Sequence, residues 1–157
     1  MRSGVVIFGV LVICLQALFG AFLMNDWAVT AASELPLEET VAEMRRAEQN
    51  YSKNGGIVFA SLGVVLALGW GFLVSQRRFI AANWAALASW GAIIARGAPA
   101  YFFFFSFANM NSVGDTFYDW NSDAAFALEE PLYVTSGIAA LIAAIGLVEV
   151  LRRPASN

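Results

Sequence analysis

Residues 4–24 read GVVIFGVLVICLQALFGAFLM and carry no charged side chain over 21 positions. At 1.5 Å per residue, a helix of this length is about 31 Å long, which matches the hydrocarbon thickness of a bilayer. The stretch therefore predicts a membrane-spanning helix. A secretory signal is the alternative, because Arg2 precedes the stretch and Val29-Thr30-Ala31 resembles a cleavage site. Signal cores are shorter, however, at about 7–15 residues.

The composition of the whole chain also indicates a membrane protein. Hydrophobic residues make up 59% of the 157 residues, charged residues make up 13%, and the mean hydropathy is +0.65. An average soluble domain has roughly 25% charged residues, so this chain has too few to cover a water-facing surface. With no His and one Cys, the sequence excludes His-ligated metals, a His general base and an internal disulfide.

Three further apolar stretches follow the first. The predicted spans are 4–24, 55–74, 79–99 and 132–151, and the predicted outer loops are 25–54 and 106–131. Small residues recur at every fourth position, as in Gly63, Ala67 and Gly71, which is typical of closely packed membrane helices. We predict an all-α fold in which residues 1–157 form one membrane domain, a four-transmembrane-helix bundle. A seam between two copies of the chain is the alternative use of the small residues.

The charges beside the predicted spans define an orientation. Basic residues lie on one side, at Arg2, Arg77, Arg78, Arg152 and Arg153. Loop 25–54 on the other side has six acidic and three basic residues, and loop 106–131 has five acidic and no basic residues. By the positive-inside rule, both termini are predicted to be cytoplasmic. The predicted partners are the lipid bilayer and either a second membrane subunit or another copy of the chain, with no nucleic acid.

The first outer loop contains a helical pattern. Apolar residues follow Pro36 at helical spacing, at Leu37, Val41, Met44, Ala47 and Tyr51. The acidic and basic residues occupy the other faces, so we predict an extra amphipathic helix that lies on the membrane surface or caps the bundle.

Arg96 is the most informative charged residue, because an ionisable side chain within a span is unfavourable and normally has a partner. Glu129 and Glu130 immediately precede the predicted fourth span. Either carboxylate could pair with the Arg96 guanidinium, as a structural ion pair or as part of a ligand site. The alternative is that the arginine extends to the outer lipid headgroups.

Two further groups of polar residues are candidate sites. Glu149 lies near Arg77, Arg78 and Arg153 at the predicted inner face, which indicates an ion cluster. The second outer loop contains a calcium-loop pattern, in which positions 1, 3, 5 and 12 are Asp119, Asn121, Asp123 and Glu130. Ala124 replaces the glycine of that pattern at position six. Ca²⁺ is thus the one cofactor to consider, and a solvated acidic loop is the alternative.

The order of several features resembles a family of small, uncharacterised four-helix bacterial membrane proteins. These features lie within residues 42–150 and comprise Glu43-Met44-Arg45, the Gly55-Gly56 pair that opens a span, Arg96 late in the third span, and Glu129 or Glu130 before the fourth. The resemblance implies a bacterial inner-membrane location and coupling of Arg96 to a glutamate. It implies no activity.

We expect a non-catalytic membrane protein, because the sequence offers no nucleophile–base pair and no phosphate-binding loop. Its role would be that of an accessory or assembly subunit, or of a binder of a lipid or a small apolar ligand. The alternative is a small transporter or channel subunit that uses Arg96 and the acidic outer vestibule. A lipid-modifying enzyme would depend on carboxylates alone, with Glu129, Glu130 and Asp115 as candidates.

Overall fold

The computed structural model describes residues 2–76, 83–105 and 109–152. The helices are α1 (Arg2–Phe22), a π-helical turn (Leu23–Trp27), α2 (Ala28–Ser33), α3 (Leu37–Arg46), α4 (Asn54–Ser75), α5 (Asn83–Ala95), α6 (Gly97–Phe105), α7 (Asn111–Thr116) and α8 (Ser122–Arg152). The described ranges contain no β-strand, so the predicted all-α class is confirmed.

Three helical segments in the described part of the chain are long and apolar enough to cross a membrane. They are Gly4–Ser33, Asn54–Ser75 and Ser122–Arg152, and they identify an integral membrane protein. The predicted third span, 79–99, falls on α5 and the start of α6, and residues 79–82 lie outside the described residues. With 13 residues, α5 is shorter than the about 20 residues of a spanning helix. A bundle of four membrane-spanning helices is therefore not confirmed.

The helix that contains the first predicted span extends beyond the predicted end of that span. The helix does not stop at residue 24 but continues through the π-helical turn, which contains Asp26, to Ser33. Leu23, Met24 and Val29 are fully buried in the core on this stretch. Burial of apolar side chains thus keeps the chain helical past an acidic residue, because packing stabilises helices more than intrinsic propensity does.

The helix that contains the fourth predicted span likewise begins before the predicted start of that span. Helix α8 begins at Ser122, ten residues before residue 132, and it continues through Pro131 although proline lacks a backbone N–H. The Asn121 Oδ1 accepts a hydrogen bond from the Ala124 N–H at 2.9 Å, which caps the first turn. The Asn121 N–H also donates to the Ala32 carbonyl oxygen at 2.8 Å, which anchors this end of α8 to α2. Glu129 and Glu130 consequently lie inside a helix and not in a loop.

The long helices pack as two antiparallel pairs, α1 with α4 and α5 with α8. Gly9 of α1 approaches Trp70 near the end of α4, whereas Gly20 approaches Phe59 near its start. In the second pair, a Cβ at position 91 would lie 2.7 Å from the Ala139 carbonyl oxygen. Only glycine allows the backbones to come this close, as expected for helices that associate within lipid.

Two clusters of buried residues form the core. One lies at the end where α1 passes into α2, and its members include Leu23, Met24, Val29, Met44 and Tyr101. The other is formed at the opposite end by residues that include Ile13, Trp70, Val74 and Ile94. Helix α3 confirms the predicted amphipathic helix, and its Met44 side chain is fully buried in the first cluster. The helices α2, α3 and α7 thus cover one end of the long helices.

Gly63→Ala is expected to weaken the packing of α1 on α4. A Cβ at position 63 would collide with the Ala17 Cβ, which cannot rotate away, so the two helices have to separate. Overpacking of this kind typically costs about 1–3 kcal/mol. Thermal unfolding in detergent should show a lower midpoint temperature for this variant. Gly69→Ala is the matched control, because nothing lies within 4 Å of a Cβ at position 69 of the same helix. Equal midpoints for the two variants would contradict this packing.

Candidate functional site

The helical segment formed by α5 and α6 is broken at Arg96. Helix α5 ends at Ala95 and α6 begins at Gly97. Pro99 has no N–H to donate to the carbonyl four residues earlier. The Ala98 N–H donates to the Ser136 Oγ of α8 at 3.1 Å, outside its own helix. The Ile94 carbonyl oxygen therefore needs a donor from another part of the chain.

Gln16 and Ser136 supply the missing donors at the break. The Gln16 Nε2 donates to the Ile94 carbonyl oxygen at 3.2 Å and to the Ser136 Oγ at 3.1 Å. The Ser136 hydroxyl donates to the same carbonyl oxygen at 3.2 Å. A hydroxyl has one donor and two acceptor positions, and Ser136 uses all three. Helices α1 and α8 thus satisfy backbone groups of the α5–α6 segment that would otherwise be unpaired among apolar side chains.

Beside the break lies a cleft of about 200 Å³. Helix α1 contributes Ile13, Gln16 and Ala17, α4 contributes Phe59, Leu62, Gly63 and Leu66, and the broken segment contributes Ile93, Arg96, Gly97, Ala100 and Phe104. Leu62 and Leu66 are themselves exposed, so the mouth of the cleft opens on the apolar outer surface of the helices. Among the described residues that line the cleft, Arg96 carries the only charge.

The cleft adjoins the middle of α4. Leu62 and Leu66 lie 8 and 12 residues after Asn54, the first residue of α4. At 1.5 Å per residue, they are about 12–18 Å from that end of the helix. Arg96 therefore approaches α4 well inside the length that would cross a bilayer.

The structure does not bring Arg96 together with the predicted acidic partners. Every Asp and Glu of the sequence lies within the described residues, and the ion pairs found there join Glu43 to Arg46 and Glu149 to Arg152. Arg96 is exposed at the cleft and pairs with neither Glu129 nor Glu130. Glu130 is exposed on α8.

Glu129 instead belongs to a buried cluster with two tyrosines. The Tyr101 hydroxyl donates to the Glu129 Oε1 at 2.9 Å, and the Tyr133 hydroxyl donates to the Oε2 at 3.3 Å. Glu129 is 5% exposed and Tyr101 is fully buried. Each carboxylate oxygen thus accepts one hydrogen bond from a phenol hydroxyl. The rings of Phe59 and Tyr101 pack edge to face, with their centroids 6.3 Å apart. Phe59 adjoins both the cluster and the cleft, because it lines the cleft and its ring contacts that of Tyr101.

The two tyrosines were missed in the sequence. Tyr133 follows Glu129 by four residues, a spacing that puts both side chains on one helix face. This spacing predicts a contact only if Glu129 and Tyr133 are in the same helix, which requires α8 to begin before Glu129. The contact with Tyr101 joins different helices and has no local signal in the sequence.

The structure does not bring the proposed calcium ligands together. Within the described ranges, no three His, Cys, Asp or Glu side chains are grouped so that they could hold a metal ion. The Asn121 Oδ1 caps α8, and the Asn121 Nδ2 donates to the Glu34 Oε1 at 2.6 Å. Because Asp123 and Glu130 lie seven residues apart on a regular helix, they are about 10 Å apart along its axis and cannot wrap one ion.

One contact of the predicted inner-face ion cluster is described. The Glu149 carboxylate pairs with Arg152 at 3.6 Å, and both residues are on the last turns of α8. Arg77, Arg78 and Arg153 lie outside the described residues. The wider cluster therefore stays a prediction.

Asn109 and Tyr51 hold together the end of the molecule that α2, α3 and α7 cover. The fully buried Asn109 donates from its Nδ2 to the carbonyl oxygens of Met24 and Ser52, each at 3.0 Å, and accepts from the Ser52 N–H. The Tyr51 hydroxyl donates to the Asn25 carbonyl oxygen. Burial, and then the nearby charge of Asp26, raises the pKa of Tyr51, so this phenol stays a donor at neutral pH.

No protein-family model matches the chain, and neither a curated protein nor a solved structure matches it. The resemblance to small bacterial four-helix membrane proteins therefore stays a prediction.

Ser136→Ala is expected to destabilise the break in the α5–α6 segment. The substitution removes the acceptor of the Ala98 N–H and one donor to the Ile94 carbonyl oxygen. Hydrogen bonds between membrane helices contribute about 0.6–1.7 kcal/mol each, so the loss should be measurable by unfolding in detergent. Thr135→Ala is the matched control, since the Thr135 hydroxyl bonds only to carbonyls of its own helix in the described structure. A control variant that is as unstable as Ser136→Ala would argue against the junction.

Tyr101→Phe is expected to leave the buried Glu129 Oε1 without its donor. An unsatisfied buried acceptor costs about 1–3 kcal/mol, so the unfolding temperature should fall. In a Glu129→Met background the same change should have a smaller effect, because the carboxylate is then absent. Tyr118→Phe serves as the control, since Tyr118 is 97% exposed. Additive effects of the Tyr101 and Glu129 changes would show that the two groups do not interact.

Proposed function

We propose that this chain is a non-catalytic integral membrane protein that binds the hydrocarbon chain of an amphiphile. The observation that supports this proposal is the apolar cleft between α1, α4 and the broken α5–α6 segment. Its volume of about 200 Å³ is below the roughly 300–1,000 Å³ of pockets that enclose a drug-sized ligand. The cleft therefore suits a segment of a long chain whose remainder lies in the surrounding lipid.

The position of the cleft mouth supports a ligand that arrives through the membrane. Leu62 and Leu66, at the edge of the cleft, are 49% and 39% exposed on a helix that is long and apolar enough to span a bilayer. Through this opening, a lipid-soluble molecule can enter the cleft directly from the bilayer without passing through water. An apolar chain in the cleft would also make van der Waals contacts with side chains that the neighbouring helices leave uncovered.

The polar groups near the cleft support binding more than catalysis. The donor and both acceptor positions of Ser136 are used by Gln16, Ile94 and Ala98, so its hydroxyl is held in a structural role. Both oxygens of Glu129 accept phenol hydroxyls. Neither side chain is poised beside the cleft as a nucleophile or a general base.

In the proposed membrane arrangement, the α5–α6 segment with the residues before it is the third of four spans. Both termini lie in the cytoplasm of a bacterial cell whose inner membrane holds the protein. The asymmetry of charge supports this orientation, because Glu34, Asp119 and Asp123 lie towards one end of α8 and Arg152 lies at the other. The helices α2, α3 and α7 would then cover the periplasmic end.

Photocrosslinking tests the binding proposal. Purified protein in phosphatidylcholine vesicles is irradiated with a 16-carbon alcohol that carries a diazirine in its chain, and the labelled peptides are mapped by mass spectrometry. Labels should concentrate on the middle of α4 and on α6. Ala100→Trp, which fills the cleft, should abolish this labelling, whereas Ala144→Trp on the exposed face of α8 should leave it unchanged. Unfolding temperatures establish that both variants are folded.

Uniform labelling of all lipid-exposed helices would contradict the binding proposal. A transporter or channel subunit is the second candidate, and the helix break beside Arg96 favours it, since discontinuous helices form substrate sites in transporters. Ion or pH-gradient flux in vesicles that disappears in Arg96→Gln would establish transport in place of simple binding.

A further inference from the structure

Arg96 is a cation at an apolar cleft, and no acidic side chain of the described residues forms an ion pair with it. Its side chain is exposed there, while the ion pairs of the described residues join Glu43 to Arg46 and Glu149 to Arg152. All twelve acidic residues of the sequence are among the described residues. A guanidinium among membrane-spanning helices normally faces a counter-ion or a polar cavity, because its charge is poorly solvated by lipid.

Glu129, one of the two predicted partners of Arg96, already has other hydrogen-bond partners. Glu129 lies seven residues, or two helical turns, before Ser136, whose hydroxyl closes the break next to Arg96. Its two oxygens accept the hydroxyls of Tyr101 and Tyr133, and its side chain is 5% exposed. Glu129 does not line the cleft, whereas Phe59 does and packs against Tyr101, which binds the carboxylate. Among the described residues no carboxylate pairs with Arg96, so its guanidinium is available to an anion from outside the chain.

We infer that the ligand of the cleft is a long-chain fatty acid whose carboxylate pairs with Arg96 while its chain lies along the apolar wall. This inference rests on the proposed function and adds the chemical class of the ligand. A planar guanidinium binds a planar carboxylate through two parallel hydrogen bonds, which gives the pair both strength and orientation. Gln16 and Ile94 on the adjoining surface are engaged with each other, so Arg96 is the group that selects the head of the ligand.

The size of the cleft favours a single-chain ligand. A volume of about 200 Å³ takes one chain segment, whereas a diacyl lipid would leave its second chain outside. The position of the cleft along α4 also favours a single-chain ligand. Leu62 and Leu66 are about 12–18 Å along α4 from Asn54. A small carboxylate can reach Arg96 at that depth, while the headgroup of a bilayer phospholipid remains at the membrane surface.

A matched pair of ligands tests the inference. The 16-carbon acid and the 16-carbon alcohol, each with a diazirine at the same chain position, are titrated against the full chain in phosphatidylcholine vesicles at pH 8. For the wild-type protein, the acid should bind more tightly than the alcohol. Arg96→Gln should weaken labelling by the acid about tenfold or more, which corresponds to about 1.4 kcal/mol per factor of ten, and should leave labelling by the alcohol unchanged.

Two further variants act as controls. Arg96→Lys should restore part of the affinity for the acid, because it keeps the charge but loses the two-pronged geometry. Arg45→Gln should have no effect, since Arg45 is exposed on α3, away from the cleft. Unfolding temperatures in the same vesicles establish that each variant is folded.

The outcomes separate the two proposals. Cleft labelling by the alcohol together with unchanged acid binding in Arg96→Gln would overturn the fatty-acid inference and leave chain binding intact. Preference for a diazirine-bearing phosphatidylglycerol over the acid, with loss in Arg96→Gln, would also overturn it in favour of a diacyl lipid. Failure of both the acid and the alcohol to label the cleft of the wild-type protein would overturn the proposed function itself.

Discussion

The structure depends on the rule that backbone polar groups surrounded by apolar side chains must find hydrogen-bond partners. At the end of α5 the helical ladder stops, and the Ile94 carbonyl oxygen and the Ala98 N–H lose their usual partners. Gln16 from α1 and Ser136 from α8 replace them. This junction holds three separate helical segments together at one level, and it is the reason that the chain can turn there and present Arg96 to the cleft.

The same arrangement keeps the cation and the buried carboxylate apart. Glu129 and Ser136 lie two turns apart on α8. The phenol cluster and the helix break are therefore at different positions along the contact between α8 and the α5–α6 segment. The ring of Tyr101, which binds Glu129, packs edge to face on Phe59, which lines the cleft. An ion pair between Arg96 and Glu129 would have neutralised both groups and left the cleft without a binding group. Their separation leaves Arg96 as the one charge on an otherwise apolar wall among the described lining residues.

Hydropathy and periodicity predicted much of the fold. The stretch 55–74 predicted α4 (Asn54–Ser75) to within one residue at either end, and the apolar spacing after Pro36 predicted α3. These elements were predictable because each one is defined by its own residues. Helix α8 begins ten residues before the predicted fourth span, and hydropathy did not predict this start because it depends on Asn121, which bonds to the distant residues Ala32 and Glu34.

The site was less predictable for a related reason. Gln16 and Arg96 were recognisable as polar residues within apolar stretches, but their partners are set by the register between helices. The sequence pattern favoured a pair of Arg96 with Glu129 or Glu130, since charge and approximate depth were the only guides. In the structure the phenols of Tyr101 and Tyr133 hold Glu129 instead. No local pattern predicts contacts between residues 28 positions apart, as in the hydrogen bond from Tyr101 to Glu129.

The most direct test is a solid-state NMR distance measurement on the protein in phospholipid vesicles that contain 1-¹³C-palmitate, with the Arg96 guanidinium labelled with ¹⁵N. A fatty acid bound as inferred places the carboxylate carbon about 4 Å or less from a guanidinium nitrogen, as expected for a two-pronged ion pair. The predicted result is dephasing between the Arg96 ¹⁵N and the palmitate ¹³C that corresponds to this distance. Dephasing between the Arg96 ¹⁵N and the ³¹P of the lipid headgroups should be much weaker. Proximity of the guanidinium to headgroup phosphorus, and none to palmitate, would contradict it and show an arginine that extends to the membrane surface.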